Sequence, residues 1–322
     1  MSIAILDQCI QDELAAVDRA FAAEVHSELA CVNALVKHVG RFRGKMLRPT
    51  LLLLAGKATG RLVPEHITLA TVVEMVHMAT LVHDDVLDDA ELRRKGATIN
   101  HLRGNEAAVL LGDYLISHSF HLCSGLQSQF ASRLIGRTTN QVCEGELLQI
   151  HHRGNFALDE ETYLQIIRLK TASLCAACCL LGAKYAGARE AQVRGLERYG
   201  LLLGMAFQIQ DDILDLVGDV SAVGKTLGSD IEKGKMTLPL IHFMRTAPRR
   251  HRQLLLSLLE GHEPDKVEKI RNLVIPSDSI DHARRRAREF IAEAVAALAD
   301  LPPGDARRRL EEMAEFVVAR EK

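Results

Sequence analysis

Between Ile67 and Val82 apolar residues predominate, never interrupted by more than one polar residue at a time, a pattern that predicts a helix enclosed on most of its sides. From Tyr163 to Leu181 apolar residues recur every three or four positions and not every two, which is the helical period. Across Asp281–Ala299 they keep to one stripe while Arg and Glu fill the rest, as on a helix packed outside a core. A last helix is expected over Asp305–Arg320, after the turn at Pro302, Pro303 and Gly304. No proline occurs between Pro64 and Pro239, a spacing that strands and tight turns hardly sustain. The expected fold is all-α, a single large bundle spanning residues 1–322, with no linker-like segment through the middle and no short-period repeat.

Composition narrows the class. At 322 residues, 48% hydrophobic and 25% charged, the chain has material for a substantial core, and disorder is excluded. A net charge of −2 provides no global field for nucleic acid or an anionic membrane, so any anionic partner must be met locally. The seven cysteines lack metal-ligand spacing and are expected to be reduced thiols filling small gaps. Met1–Ile10 has neither a basic region nor an apolar run, and windows such as Leu51–Ala55 are far shorter than the roughly 18 residues of a membrane span. The expectation is a cytoplasmic protein with no transmembrane segment, touching a membrane at most peripherally to release product.

One motif occurs twice. Asp84, Asp85 and Asp88 form Asp-Asp-x-x-Asp, and so do Asp211, Asp212 and Asp215, each at the end of an apolar helical run. At about 100° per residue, Asp84 and Asp88 fall on one helix face, and the second set likewise shares a face. Such carboxylates repel one another unless hard divalent cations sit among them, and Mg²⁺ takes carboxylate oxygens together with phosphate oxygens and water. Two solvated helix ends are the alternative, but apolar helices have no need of three carboxylates in five residues, twice. Metal-bound carboxylates facing a diphosphate imply its departure from an allylic carbon, chemistry that requires no protein nucleophile.

With these motifs the sequence resembles the trans-polyprenyl diphosphate synthases over nearly its whole length. The runs Val76–Asn100 and Asn105–Tyr114 are similar to the long-chain, octaprenyl diphosphate synthase-like branch. The resemblance implies an all-helical bundle around a deep cavity, a homodimer, Mg²⁺, and two substrates, isopentenyl diphosphate and an allylic prenyl diphosphate. Lys45 and Arg48, three apart and just before Pro49, can grip one diphosphate, the Arg bidentately; a snorkelling surface pair is the plainer reading. By resemblance they belong to the isopentenyl diphosphate site together with Arg94 and His77, the latter two turns before Asp84. Arg93, Lys225 and Lys235 correspond to positions around the allylic diphosphate. Lys170, Thr171 and Gln208 correspond to those that steady an allylic cation, and the departing diphosphate is the implied proton acceptor.

One helical turn rises about 5.4 Å, close to one extended isoprene, so side chains one and two turns before Asp84 should meet a growing tail. They are Thr80 and Val76, with Ala79 adjacent, all small or modest. Family members that stop early carry a bulky aromatic near these positions, so an open tunnel and a long product are expected. A shorter-chain synthase, a class I terpene cyclase and an inactive partner subunit are the alternatives. The absence of Trp and the second Asp-Asp-x-x-Asp argue against a cyclase, and intact motifs argue against an inactive subunit.

Overall fold

The computed structural model describes residues 9–41, 44, 46–93, 96–218 and 227–320. Lys45, Arg94 and Lys225 lie outside the described residues. The first helices are α1 Gln11–Glu24, α2 Ala30–Gly40, α3 Leu47–Thr59 and α4 Pro64–Leu87. A hairpin of β1 Leu92–Arg93 and β2 Gly96–Ala97 leads to α5 Ile99–Arg103, α6 Asn105–Ser124 and α7 Phe130–His151. Then come α8 Glu160–Ile167, a π-helical turn Arg168–Ala172, α9 Ser173–Tyr185 and α10 Glu190–Val217. The remainder is α11 Ser229–Glu232, α12 Leu238–Thr246, α13 Arg249–Glu260, α14 Lys266–Val274, α15 Ser279–Ala296 and α16 Asp305–Ala319. The expected all-α class is what is found, with that one hairpin among the described residues. The described residues fall into two compact units.

The first unit draws on Met1–Asn140, Leu174–Gly200 and Ala297–Met313. Its centre is α4, packed against α1, α3 and α6. Pro64 opens α4 where a missing N–H costs nothing. His66 Nδ1 accepts from the Val63 N–H at 3.0 Å, leaving Nε2–H to donate to the Gly182 carbonyl at 3.0 Å, so one buried ring ties α4 to α9. There α3 and α9 touch backbone to backbone. A Cβ on Gly182 would stand 2.1 Å from the Leu52 oxygen, which makes glycine obligatory.

The second unit draws on Gln141–Ser173, Leu201–Ala296 and Ala314–Lys322. Asp159 caps α8, its Oδ1 accepting from the Thr162 N–H at 2.7 Å. The start of α8 is tied to α12 and α15: Glu160 receives Arg286 Nε at 2.9 Å, His282 Nε2 lies 3.5 Å away, and Arg245 lies at 3.6 Å. By length and composition Glu160–Tyr185 is a stretch that could cross a membrane, longer than the apolar windows counted from the sequence. Most of its apolar window, 83%, is buried in protein, as in the core helix of a globular fold.

Candidate active site

Each Asp-Asp-x-x-Asp motif ends a long helix, and in both the helix continues far enough to place the first and last carboxylates on one face. In the first, α4 runs to Leu87 and the Asp88 N–H still donates to the Asp84 carbonyl at 2.9 Å. Asp84 and Asp88 are half-buried, whereas Asp85 is only 5% exposed and turned away. Its Oδ1 takes both Nε and a terminal nitrogen of Arg93 at 2.8 Å. The turn behind it is fastened by Asn100, whose amide donates to the carbonyls of Asp85 at 3.2 Å and Ala90 at 3.1 Å. Arg93, read from the sequence as a diphosphate ligand, is thus Asp85's counter-ion in this structure.

The second motif repeats the division. Asp211 and Asp215 are half-buried on α10, and Asp212 is buried. Tyr163 Oη donates to Asp212 Oδ2 at 2.7 Å, and Gln208 Nε2 donates to Oδ1 at 2.8 Å. Burial, and then the nearby charge of Asp230, lift the Asp212 carboxyl well above the usual range, while these two donated bonds pull the other way. Asp211 Oδ1 accepts from Arg320 at 2.9 Å, and the Arg320 guanidinium lies 5.0 Å over the Phe207 ring. Asp215 Oδ2 accepts from the Asp230 N–H at 3.2 Å, which ties the segment after the motif back to α10.

Beside Asp212 lies a cavity of about 110 Å³ whose lining includes Lys170, Thr171, Gln208, Lys235, Tyr163 and Asp230. Four residues singled out from the sequence, Lys170, Thr171, Gln208 and Lys235, therefore share one wall with Asp212. The π-helical turn Arg168–Ala172 carries two of them. Such turns widen the helix by one residue and free a carbonyl, and they recur at functional sites. Lys170 Nζ sits on the Glu146 carboxylate of α7, and Lys235 Nζ lies 3.9 Å from Asp230 Oδ1. Thr171 Oγ1 donates to Gln208 Oε1 at 2.8 Å. Tyr163, Glu146 and Arg320 were not found from the sequence. Tyr163 had a signal: it precedes Lys170 by seven residues, two turns, on the same helical face.

Arg48 is the second residue of α3, where a cation meets the positive end of the helix and is unfavourable unless an anion joins it. Its Nε is buried and has no hydrogen-bond partner among the described residues. The preceding Met46 has φ +49°, a left-handed conformation costly for this residue and typical of strained functional turns. Both features fit an incoming phosphate group. His77 is half-buried on α4, two turns before Asp84. Of the three tail-facing candidates, Val76 and Thr80 lie on the same stripe as Asp84, four residues apart in turn. Ala79 lies instead in the core cluster with Phe21, Val39, Met75 and Leu115.

The donor set fits Mg²⁺. Its ligands would be hard carboxylate oxygens, and among the described residues no three His, Cys, Asp or Glu converge into a ready-made cage. Mg²⁺ is ordinarily bound through one or two carboxylates and completed by phosphate oxygens and water.

A half-exposed carboxylate pair ends each of two apolar helices, and within the second unit Lys170, Thr171 and Gln208 line a cavity with Asp212; the enzyme is an all-helical prenyltransferase. The chain belongs to the family described as Polyprenyl synthetase, which it matches over residues 30–275. It is 33% identical to octaprenyl diphosphate synthase of Escherichia coli (strain K12) over 323 aligned positions, covering 100% of both chains. The crystal structure of a decaprenyl diphosphate synthase from Rhodobacter capsulatus matches with TM-score 0.94 and 34% identity, covering 100% of both chains. A polyprenyl synthase from Caulobacter crescentus CB15, complexed with calcium and isoprenyl diphosphate, matches with TM-score 0.93 and 35% identity over 100% of this chain and 98% of that one.

Proposed function

We propose that the protein condenses an allylic prenyl diphosphate with successive isopentenyl diphosphates, trans and head to tail, to a long-chain polyprenyl diphosphate. The observation that carries this is the repeated division of labour in the two motifs: an i, i+4 carboxylate pair half-exposed, the middle carboxylate buried and held. Asp84 and Asp88 in one motif and Asp211 in the other are the chief Mg²⁺ ligands of this reading, with Asp85, Asp212 and Asp215 supporting them. When bound, Mg²⁺ supplies charge neutralisation for a departing diphosphate. Lys170, Lys235, Arg93 and Lys225 take oxygens of the allylic diphosphate. The carbonyl dipoles of Lys170 and Thr171 and the Gln208 amide steady the allylic cation. Isopentenyl diphosphate is held by Lys45, Arg48, His77 and Arg94 with its double bond toward that cation, and the lost proton goes to the departing diphosphate.

The same reading makes residues 1–322 one polyprenyl synthase domain, active as a homodimer in the cytoplasm, with product release at a membrane surface. All seven cysteines are free, as a reducing compartment requires. The test is incubation of the purified chain with Mg²⁺, farnesyl diphosphate and isopentenyl diphosphate, followed by product mass. A long polyprenyl diphosphate is expected, lost with EDTA and lost in Asp84→Ala and Asp211→Ala variants that keep the wild-type circular dichroism. A cyclic hydrocarbon, or no product from the chain alone, overturns the reading.

A further inference from the structure

Four side chains form one unbroken hydrogen-bonded row along the cavity wall: Tyr163 to Asp212, Gln208 to Asp212, Thr171 to Gln208. Their polarity is fixed from one end. Asp212 takes the Tyr163 hydroxyl on Oδ2 and the Gln208 NH₂ group on Oδ1, the two donated bonds that favour its ionised, accepting form against burial and the Asp230 charge. The Gln208 carbonyl must then face Thr171, whose single hydroxyl hydrogen is used on it at 2.8 Å. What remains toward the cavity from Thr171 is oxygen lone pairs, the sign that suits a cation.

Tyr163 is 3% exposed and lies within the second unit, two turns before Lys170 on the same helical run. We propose that Tyr163 is a positioning residue: its hydroxyl fixes the plane of Asp212, and through it the orientation of the Gln208 amide and the Thr171 hydroxyl. Without that hydroxyl one buried carboxylate oxygen loses its donor and the carboxylate is free to turn, which carries the Gln208 amide bonded to it, and with that the Thr171 hydroxyl, out of line with the cavity wall. This rests on the reading of Thr171 and Gln208 as the groups that face the allylic cation.

The variant is Tyr163→Phe, which keeps the ring. In the condensation assay kcat should fall about tenfold or more, as when one preorganised polar group of a charge-stabilising site is lost, with both KM values within about twofold of wild type. Thr171→Val should fall similarly, and the double variant should be no slower than the slower single variant, because the row is already broken. Rate losses that multiply, or a fall in thermal stability with kcat unchanged, overturn the proposal. A readout free of turnover is the Gln208 side-chain amide in a ¹⁵N-labelled protein, with its signals assigned by their loss in Gln208→Glu. Its Asp212-bound proton should move upfield in Tyr163→Phe and stay when Phe207 is replaced by Leu. If Tyr163→Phe does not fold, Thr171→Val must shift the Tyr163 ring signals, and an unmoved ring overturns the proposal. Failure of the wild-type assay to give a polyprenyl product would sink the reaction assigned above while the amide signals still judged the row.

Discussion

At the scale of single residues, a motif carboxylate is held by a cation brought in from far along the chain. Asp211 illustrates this: nothing in the sequence announces that Arg320, more than a hundred residues away, stands 2.9 Å from it. A divalent ion that takes this carboxylate displaces the guanidinium. Arg320→Ala is therefore expected to strengthen Mg²⁺ binding to the substrate-free protein roughly twofold to fivefold, the range for a partly exposed ion pair, read by titration calorimetry. Unchanged or weaker affinity would mean that Arg320 and the ion do not compete for Asp211. His282 carries a pH prediction. Its ring stacks on His242 with centroids 4.0 Å apart, faces Glu160, and has Arg245 and Arg286 nearby, while Asp278 faces His242. Burial, then His242, hold its pKa below the usual 6.5, with Glu160 opposing. The unfolded chain then binds the proton more readily, so the stability that neutral His282 contributes is complete above pH 6.5 and is lost as pH falls through the lower folded value. Melting temperature should drop as pH falls from 6.5 to that lower value, and His282→Gln should flatten the drop.

At the scale of elements, periodicity located α4, the α8–α9 run, α15 and α16 because each buries a broad apolar face, and burial is what the pattern encodes. It did not reveal the π-helical turn at Arg168–Ala172, since one extra residue in a turn leaves the spacing of apolar residues almost intact. That turn lies hard against α7 at Gly145, where a Cβ would stand 2.5 Å from the Lys170 nitrogen and 3.0 Å from the Leu169 carbonyl carbon. Both are backbone atoms and cannot swing away. Gly145→Ala should therefore cost about 1–3 kcal/mol of stability and reduce turnover together with it, checked by denaturant melts and rate. Along α4 the two faces separate chain length from packing. Thr80→Phe, on the Asp84 stripe, should shorten the product without stopping the first condensation. Ala79→Phe, inside the cluster with Phe21 and Leu115, should lower stability by about 1–3 kcal/mol and leave product length alone. Product mass and melting temperature distinguish the two, and equal shortening by both would place the tail on the opposite face.

At the scale of the whole molecule, Leu92 and Leu110 are each 68% exposed, and Leu102 and Val109 of neighbouring elements are also exposed. If the proposed homodimer covers these side chains, the wild type should sediment at twice the chain mass and Leu110→Glu should shift it toward the monomer. A wild-type monomer, or a dimer indifferent to Leu110→Glu, places the subunit contact elsewhere. The sequence by itself determined the fold class, because the lack of proline between Pro64 and Pro239 and the apolar periodicity both act locally on the backbone. It also determined the chemistry on offer, because six carboxylates in two identical motifs repel unless cations join them. Tertiary structure decided which carboxylates stay half-exposed and which are buried. Asp85 and Asp212 sit in the same motifs as their neighbours, and only the approach of Arg93, Tyr163 and Gln208 sets them apart. The Tyr163–Asp212 bond joins residues 49 apart in the chain, and a hydrogen bond depends on distances of tenths of an ångström that no linear spacing specifies.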